Sequence, residues 1–129
     1  MHSRMDIKNI DDIILLVDSF YEKVNADEML TPIFNNLAKV NWEEHLPIMY
    51  GFWSAVLFDT HTYKGQPVAS HLELPIRTDH FNRWLKLFRQ TVDEHFEGIK
   101  AEEAKTKADS IALIFQSKLG LIDDTLKIL

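Results

Sequence analysis

The chain has 129 residues, of which 46% are apolar and 26% charged, and a net charge of −6. That is length enough for one core without covalent staples, too much apolar content for a disordered chain, and the wrong sign for a nucleic-acid surface. No cysteine is present. This excludes disulfides, thiolate-held zinc, iron–sulfur clusters and cofactors attached through thioethers, and it is compatible with a cytoplasmic location.

Met1 to Lys8 lacks the apolar stretch of a signal peptide, and Met5 could equally start the chain. The longest aliphatic run, Ile13 to Val17, is too short to span a bilayer, so no membrane span is expected. Asn9 suits a helix N-cap, with Asp11 and Asp12 in the first turn. Ile10, Ile13, Ile14, Val17, Phe20, Tyr21 and Val24 then recur at steps of three and four, which predicts one buried helical face ending near Asn25 to Asp27. Thr31-Pro32 reads as a second start, with proline at the first helical position, and Asn35-Asn36 as a loop or bend.

Asn41 and Glu44 have capping-box spacing ahead of a helix carrying Leu46, Met49, Phe52, Trp53, Val56 and Leu57. Pro47 complicates its first turns: either the helix kinks, or its regular part starts near Leu46 and His45 sits at an irregular lead-in. Residues 59 to 78 are the least regular stretch. Within it Pro67 and Pro75 fence about two turns of helix, with Val68, His71 and Leu72 on one face.

Thr78 is expected to cap a long helix with the stripe Phe81, Trp84, Leu85, Phe88, Val92, His95 and Phe96, closed by Gly98. Its cations Arg77, Arg83, Lys86 and Arg89 form a solvated face rather than a phosphate-binding stripe. A last helix, Ala101 to Leu119, has the core face Ala104, Ala108, Ile111, Phe115 and Leu119, with Gly120 as its stop. No stretch alternates as a strand does. The expectation is one all-α domain over residues 1–129, its core over 6–119 and a mildly amphipathic tail over 120–129.

The six histidines are the obvious ligands, but no His-x-x-x-His, Glu-x-x-His, phosphate loop or nucleophile elbow is present. What remains is a set of polar-tipped side chains on apolar faces: Tyr21, His45, His71 and Trp84. Each needs a hydrogen-bond partner or a ligand once buried. Taken singly, an inward histidine is more often a satisfied core residue than a ligand, and a tyrosine or tryptophan in a helical stripe is usually packing. His61 and His80 read as exposed, His95 as core-edge.

Five stretches in order carry a resemblance. They are Ser19-Phe20-Tyr21-Glu22-Lys23-Val24, Pro32-Ile33-Phe34-Asn35-Asn36, His45 through Phe52-Trp53, Gly65-Gln66-Pro67-Val68-Ala69-Ser70-His71-Leu72, and Phe81-Asn82-Arg83-Trp84-Leu85-Lys86-Leu87-Phe88. Together they resemble the group III truncated haemoglobins over nearly the whole chain, and the Gly-Gln-Pro element before His71 is the most telling piece. The Gly-Gly pairs typical of other truncated groups are missing.

The resemblance implies a truncated globin fold, a helical sandwich around haem b. It makes His71 the proximal iron ligand, Phe34 the aromatic on the haem face, and Tyr21, His45 and Trp84 the distal set. Phe20, Met49, Phe52, Trp53, Val68 and Leu72 line or back the pocket. It further implies O2, NO or CO at a pentacoordinate or weakly hexacoordinate iron.

Pro47 leaves three stances open to His45: gating the pocket, swinging to solvent, or binding ferric iron. Tyr63, Lys64 and Arg77 are candidates for the haem propionates. The competing expectation is a haem-dependent redox enzyme, peroxidase-like or detoxifying NO or O2, which would need an external reductase because the chain has no flavin or nicotinamide domain. A third is a helical interaction module that has lost its cofactor.

Overall fold

A computed structural model describes residues 4–59 and 76–120. Four long helices carry the architecture: α1 (Ile10–Ala26), α2 (Trp42–Phe58), α3 (Thr78–His95) and α4 (Ile99–Lys118). The helix α1 packs on α2 and α3, α4 packs on α3 and touches α2, and the core lies between them. Among the described residues the extended pairing is limited to one isolated parallel bridge, Met5 with Phe96. No helix among them is long and apolar enough to cross a membrane.

α1 begins as its sequence dictates. The Asn9 side chain accepts the Asp12 N–H at 3.1 Å, and Asp11 and Asp12 complement the positive helix end. Its apolar face is fully buried through Ile13, Leu16, Val17, Phe20 and Val24. After α1, the Asp27 carboxylate accepts the N–H groups of Met29 and Leu30 and so starts the next turn.

Pro32–Leu37 forms a short, widely wound helix, with the Ala38 N–H reaching back to the Ile33 carbonyl at 2.8 Å. Asn35 and Asn36 therefore lie inside a helical turn, not in a loop. The wide winding lets the Asn35 side chain be spent on tertiary bonds.

α2 corrects two expectations. Asn41 sits at the N-cap with extended backbone, but its side chain makes no capping bond. The helix also runs unbroken from Trp42 through Pro47 to Phe58. Pro47 falls within the first two turns, where it forfeits a single bond to the carbonyl of Glu43, and Glu43 is exposed to water. His45 thus stands in the regular first turn of α2.

The corner between α3 and α4 also differs. Arg77, not Thr78, is the N-cap of α3, and the Arg77 N–H donates to Nδ1 of His80 at 2.9 Å. His80 is consequently buried rather than exposed. Gly98 does not close α3, which ends at His95; it is the N-cap of α4. Gly98 has no side chain to satisfy the first N–H groups of α4, and Asp6 does so from 94 residues away. Its carboxylate accepts from Lys100 N and Ala101 N, both at 2.8 Å.

The buried row of α4 is Ala101, Ala104, Ala108 and Ala112, small residues that let α4 approach α3 closely. Ile111, Phe115 and Leu119, expected in that row, are half-buried beside it.

Candidate functional site

Two aromatic groups meet at α1. The deeper one is a stack: Trp53 lies on Phe88 with centroids 4.8 Å apart, and Trp84 on the same ring at 5.8 Å. Phe20 stands edge-on to both Phe88 and Trp84. Phe20, Trp53 and Phe88 are fully buried and form the floor, whereas Trp84 is only half-buried.

The second group lies one residue further along α1. Tyr21 meets Phe34 at 6.0 Å, His45 at 5.4 Å and Trp42 at 5.2 Å. Trp42 in turn stacks on Phe34 and stands edge-on to His45. Phe20, at 4.9 Å from Tyr21, joins the two groups. Among the expected distal residues, Tyr21 is thus brought into ring contact with His45 and with Phe34, while Trp84 reaches Tyr21 across Phe20.

Tyr21 is 5% exposed and lines an open cleft with Trp42 and Leu46. Burial pushes its pKa well above the ordinary tyrosine range, so the hydroxyl stays protonated and remains a donor. The Nε2 atom of His45 is out of contact with solvent. Phe34, Met49, Phe52, Trp84 and Leu85 are half-buried apolar side chains packed against the core.

Trp42 was not foreseen among the site residues. It precedes His45 by three positions and so shares its helix face, but a stretch that reads as a helix cap draws attention away from its own side chains. His71, Val68 and Leu72, with Tyr63 and Lys64, lie outside the described residues. Arg77 is exposed at the start of α3.

The described residues form a small all-helical protein with an aromatic cluster of Tyr21, Phe34, Trp42 and His45. The comparisons specify its family. The family model described as bacterial-like globin matches residues 8–116. The chain is 36% identical over 115 residues to the group 3 truncated hemoglobin ctb of Campylobacter jejuni, covering 86% of this chain and 91% of that one.

The crystal structure of a group III truncated hemoglobin from Campylobacter jejuni superposes with a TM-score of 0.82 at 34% identity, over 91% of this chain and 95% of that one. The chain belongs to the bacterial-like globin family and, within it, is a group III truncated haemoglobin with the all-α globin fold. Membership carries the general property of a haem protein that binds small ligands.

The described residues are of a kind that suits one face of such a group. A porphyrin needs wide apolar surface, and Phe34, Met49, Phe52 and Leu85 are half-buried apolar side chains packed against the core.

Proposed function

We propose that this globin holds haem b through His71 and binds small diatomic ligands, O2 foremost and also NO and CO, on the side bounded by Tyr21, His45 and Trp84. The observation that carries the reading is the ring contact of one largely buried tyrosine, Tyr21, with both Phe34 and His45. Burial keeps its hydroxyl protonated, so it is available as a donor.

Haem, when bound, would be held by the His71 imidazole and would supply an iron able to bind a diatomic ligand. The chain's own part is to hold the macrocycle and to aim protons. Phe34, Met49, Phe52, Val68 and Leu72 offer apolar surface, with Phe20 and Trp53 behind them. Tyr21 donates toward a ligand atom carrying partial negative charge, Trp84 offers a second donor, and His45, edge-on to Tyr21, offers a third. With about 1 kcal/mol per net bond, two donors slow the loss of a polar ligand by roughly tenfold to a hundredfold. A weakly polar ligand such as CO gains less. Any redox turnover would draw its electrons from an external reductase.

The purified protein is expected to be red with an intense Soret band, and His71→Ala to lose that band or the haem itself. Tyr21→Phe is expected to raise the O2 dissociation rate about fivefold in stopped-flow displacement while leaving CO dissociation nearly unchanged. Equal O2 rates in the two proteins would remove Tyr21 from the role.

A further inference from the structure

The Trp42 ring meets three residues expected at the site. Tyr21 lies at 5.2 Å, Phe34 is stacked at 6.0 Å, and His45 stands edge-on at 5.5 Å. From its own place on α2, Trp42 thus joins Tyr21 of α1 to Phe34 of the short helix Pro32–Leu37. Trp42 and Tyr21 also line the same open cleft. Tyr21 is nonetheless 5% exposed, and the Trp42 ring covers part of its flank.

Ring contacts fix where Trp42 sits, and one polar chain fixes how its ring is turned. The Trp42 indole N–H donates to the Asn35 Oδ1 at 2.8 Å. The Asn35 Nδ2 donates to the Asn25 Oδ1 at 2.7 Å and to the Thr31 Oγ1 at 2.8 Å. An amide with its donors and its acceptor engaged has one satisfied orientation, so Asn35 is a fixed anchor. It ties the end of α1 and the short helix to the first turn of α2.

A hydrogen bond weakens steeply as its angle departs from linear. A phenol that can tilt therefore donates less to a bound ligand than one whose ring is held on several sides. We infer that Trp42 is a positioning residue that holds Tyr21 in its donating orientation, and that Asn35 acts through Trp42 by fixing the turn of its ring. The inference rests on the distal role of Tyr21 proposed above.

The test uses the full-length haem-loaded protein. Asn35→Ala keeps the Trp42 ring and removes its anchor, whereas Trp42→Leu removes the ring. Each is expected to raise the O2 dissociation rate about threefold, less than Tyr21→Phe does, because the hydroxyl remains but is no longer held. In a Tyr21→Phe background neither change is expected to raise the rate further. Lost packing alone would act in both backgrounds alike. Should Trp42→Leu fail to fold, Asn35→Ala decides the question by itself.

Two spectroscopic readouts accompany the rates. In the CO-bound protein, the C–O stretch reports the positive field around the ligand. In Asn35→Ala it should move toward its position in Tyr21→Phe. The Tyr21 ring protons, displaced by the ring current of Trp42, should also shift in Asn35→Ala. Parent O2 dissociation in Asn35→Ala, an equal rise in both backgrounds, or unmoved Tyr21 resonances would each overturn the inference. A Tyr21→Phe protein with the parent O2 rate would strike the distal reading and this inference with it. The Tyr21 resonances tell the two failures apart, since they do not depend on a bond to the ligand.

Discussion

At the corner where the N-terminal segment meets α4, polar groups answer one another. Asp6 accepts from Ile7, Lys100 and Ala101 backbone N–H groups. The Lys100 ammonium donates to the Leu57 carbonyl at the end of α2 and to Glu103, and lies over the Phe58 ring. Around Tyr21 the contacts are aromatic instead: its ring meets Phe20, Phe34, Trp42 and His45, and Trp84 of α3 reaches it across Phe20. The first region is joined chiefly by polar bonds and the second by rings, so the contrast separates a corner kept for stability from a cluster offered to a ligand.

The largest effect that can break this contrast is at Gly98. Its φ of +137° lies where side chains are strained, and an added Cβ would come within 2.6 Å of the Asp6 carboxylate carbon. Gly98→Ala must therefore both strain the backbone and displace the cap of α4. With about 1–3 kcal/mol for the strain and about 1 kcal/mol for each lost bond, a loss of about 3 kcal/mol is expected in urea unfolding. Ligand kinetics of the folded fraction should stay at parent values. If ligand rates move with stability, the two regions are not separate.

How far the fold was legible follows the range of the interactions. The N-cap of α1 is local, and Asn9 announces it three residues ahead of its acceptor bond. The stripe of α3 is periodic and survives intact through Phe81, Phe88 and Val92. The Asp6 cap was not legible, because nothing within reach of Asp6 in sequence names a helix that starts beyond Gly98. Nor was the burial of His80, whose ring turns back onto the Arg77 N–H instead of following the Phe81 stripe.

Tyr21, His45 and Phe34 were named together through family resemblance, and the structure brings Tyr21 into ring contact with each of the other two. Trp42 escaped because its part in that set depends on Asn35, which read as a loop residue.

His80 offers a smaller, pH-dependent test of the same contrast. Its Nδ1 accepts from the backbone, which requires the neutral ring. Burial, followed by the nearby Arg77 charge, lowers its pKa from the usual 6.5. The sign follows from linkage. The folded state resists a proton that the unfolded state accepts below 6.5, so this contribution is complete above that pH and is lost as pH falls through the folded value. His80→Gln is expected to cost about 1 kcal/mol at pH 8 and to flatten the fall in stability between pH 6.5 and more acid conditions. A parallel fall in the variant would show that other groups carry the dependence.

The smallest effect is expected at Ser54, and it sharpens the contrast by opposing sign. Ser54 is buried on α2, and its Oγ makes no hydrogen bond. Unlike Tyr21, it is not among the aromatic residues that surround His45, so a ligand-facing role does not account for it. Removing an unsatisfied hydroxyl recovers its desolvation cost, while Ser→Ala leaves only a very small void. Ser54→Ala is thus expected to raise stability by about 0.5–1 kcal/mol without altering O2 dissociation. Tyr21→Phe should also stabilise the haem-free chain, but it should speed O2 loss from the loaded one. A buried unpaired hydroxyl is evidence of a ligand only when its removal trades binding for stability, and these two variants measure that trade on the same helix pair. A Ser54→Ala protein that loses O2 faster would move Ser54 into the site.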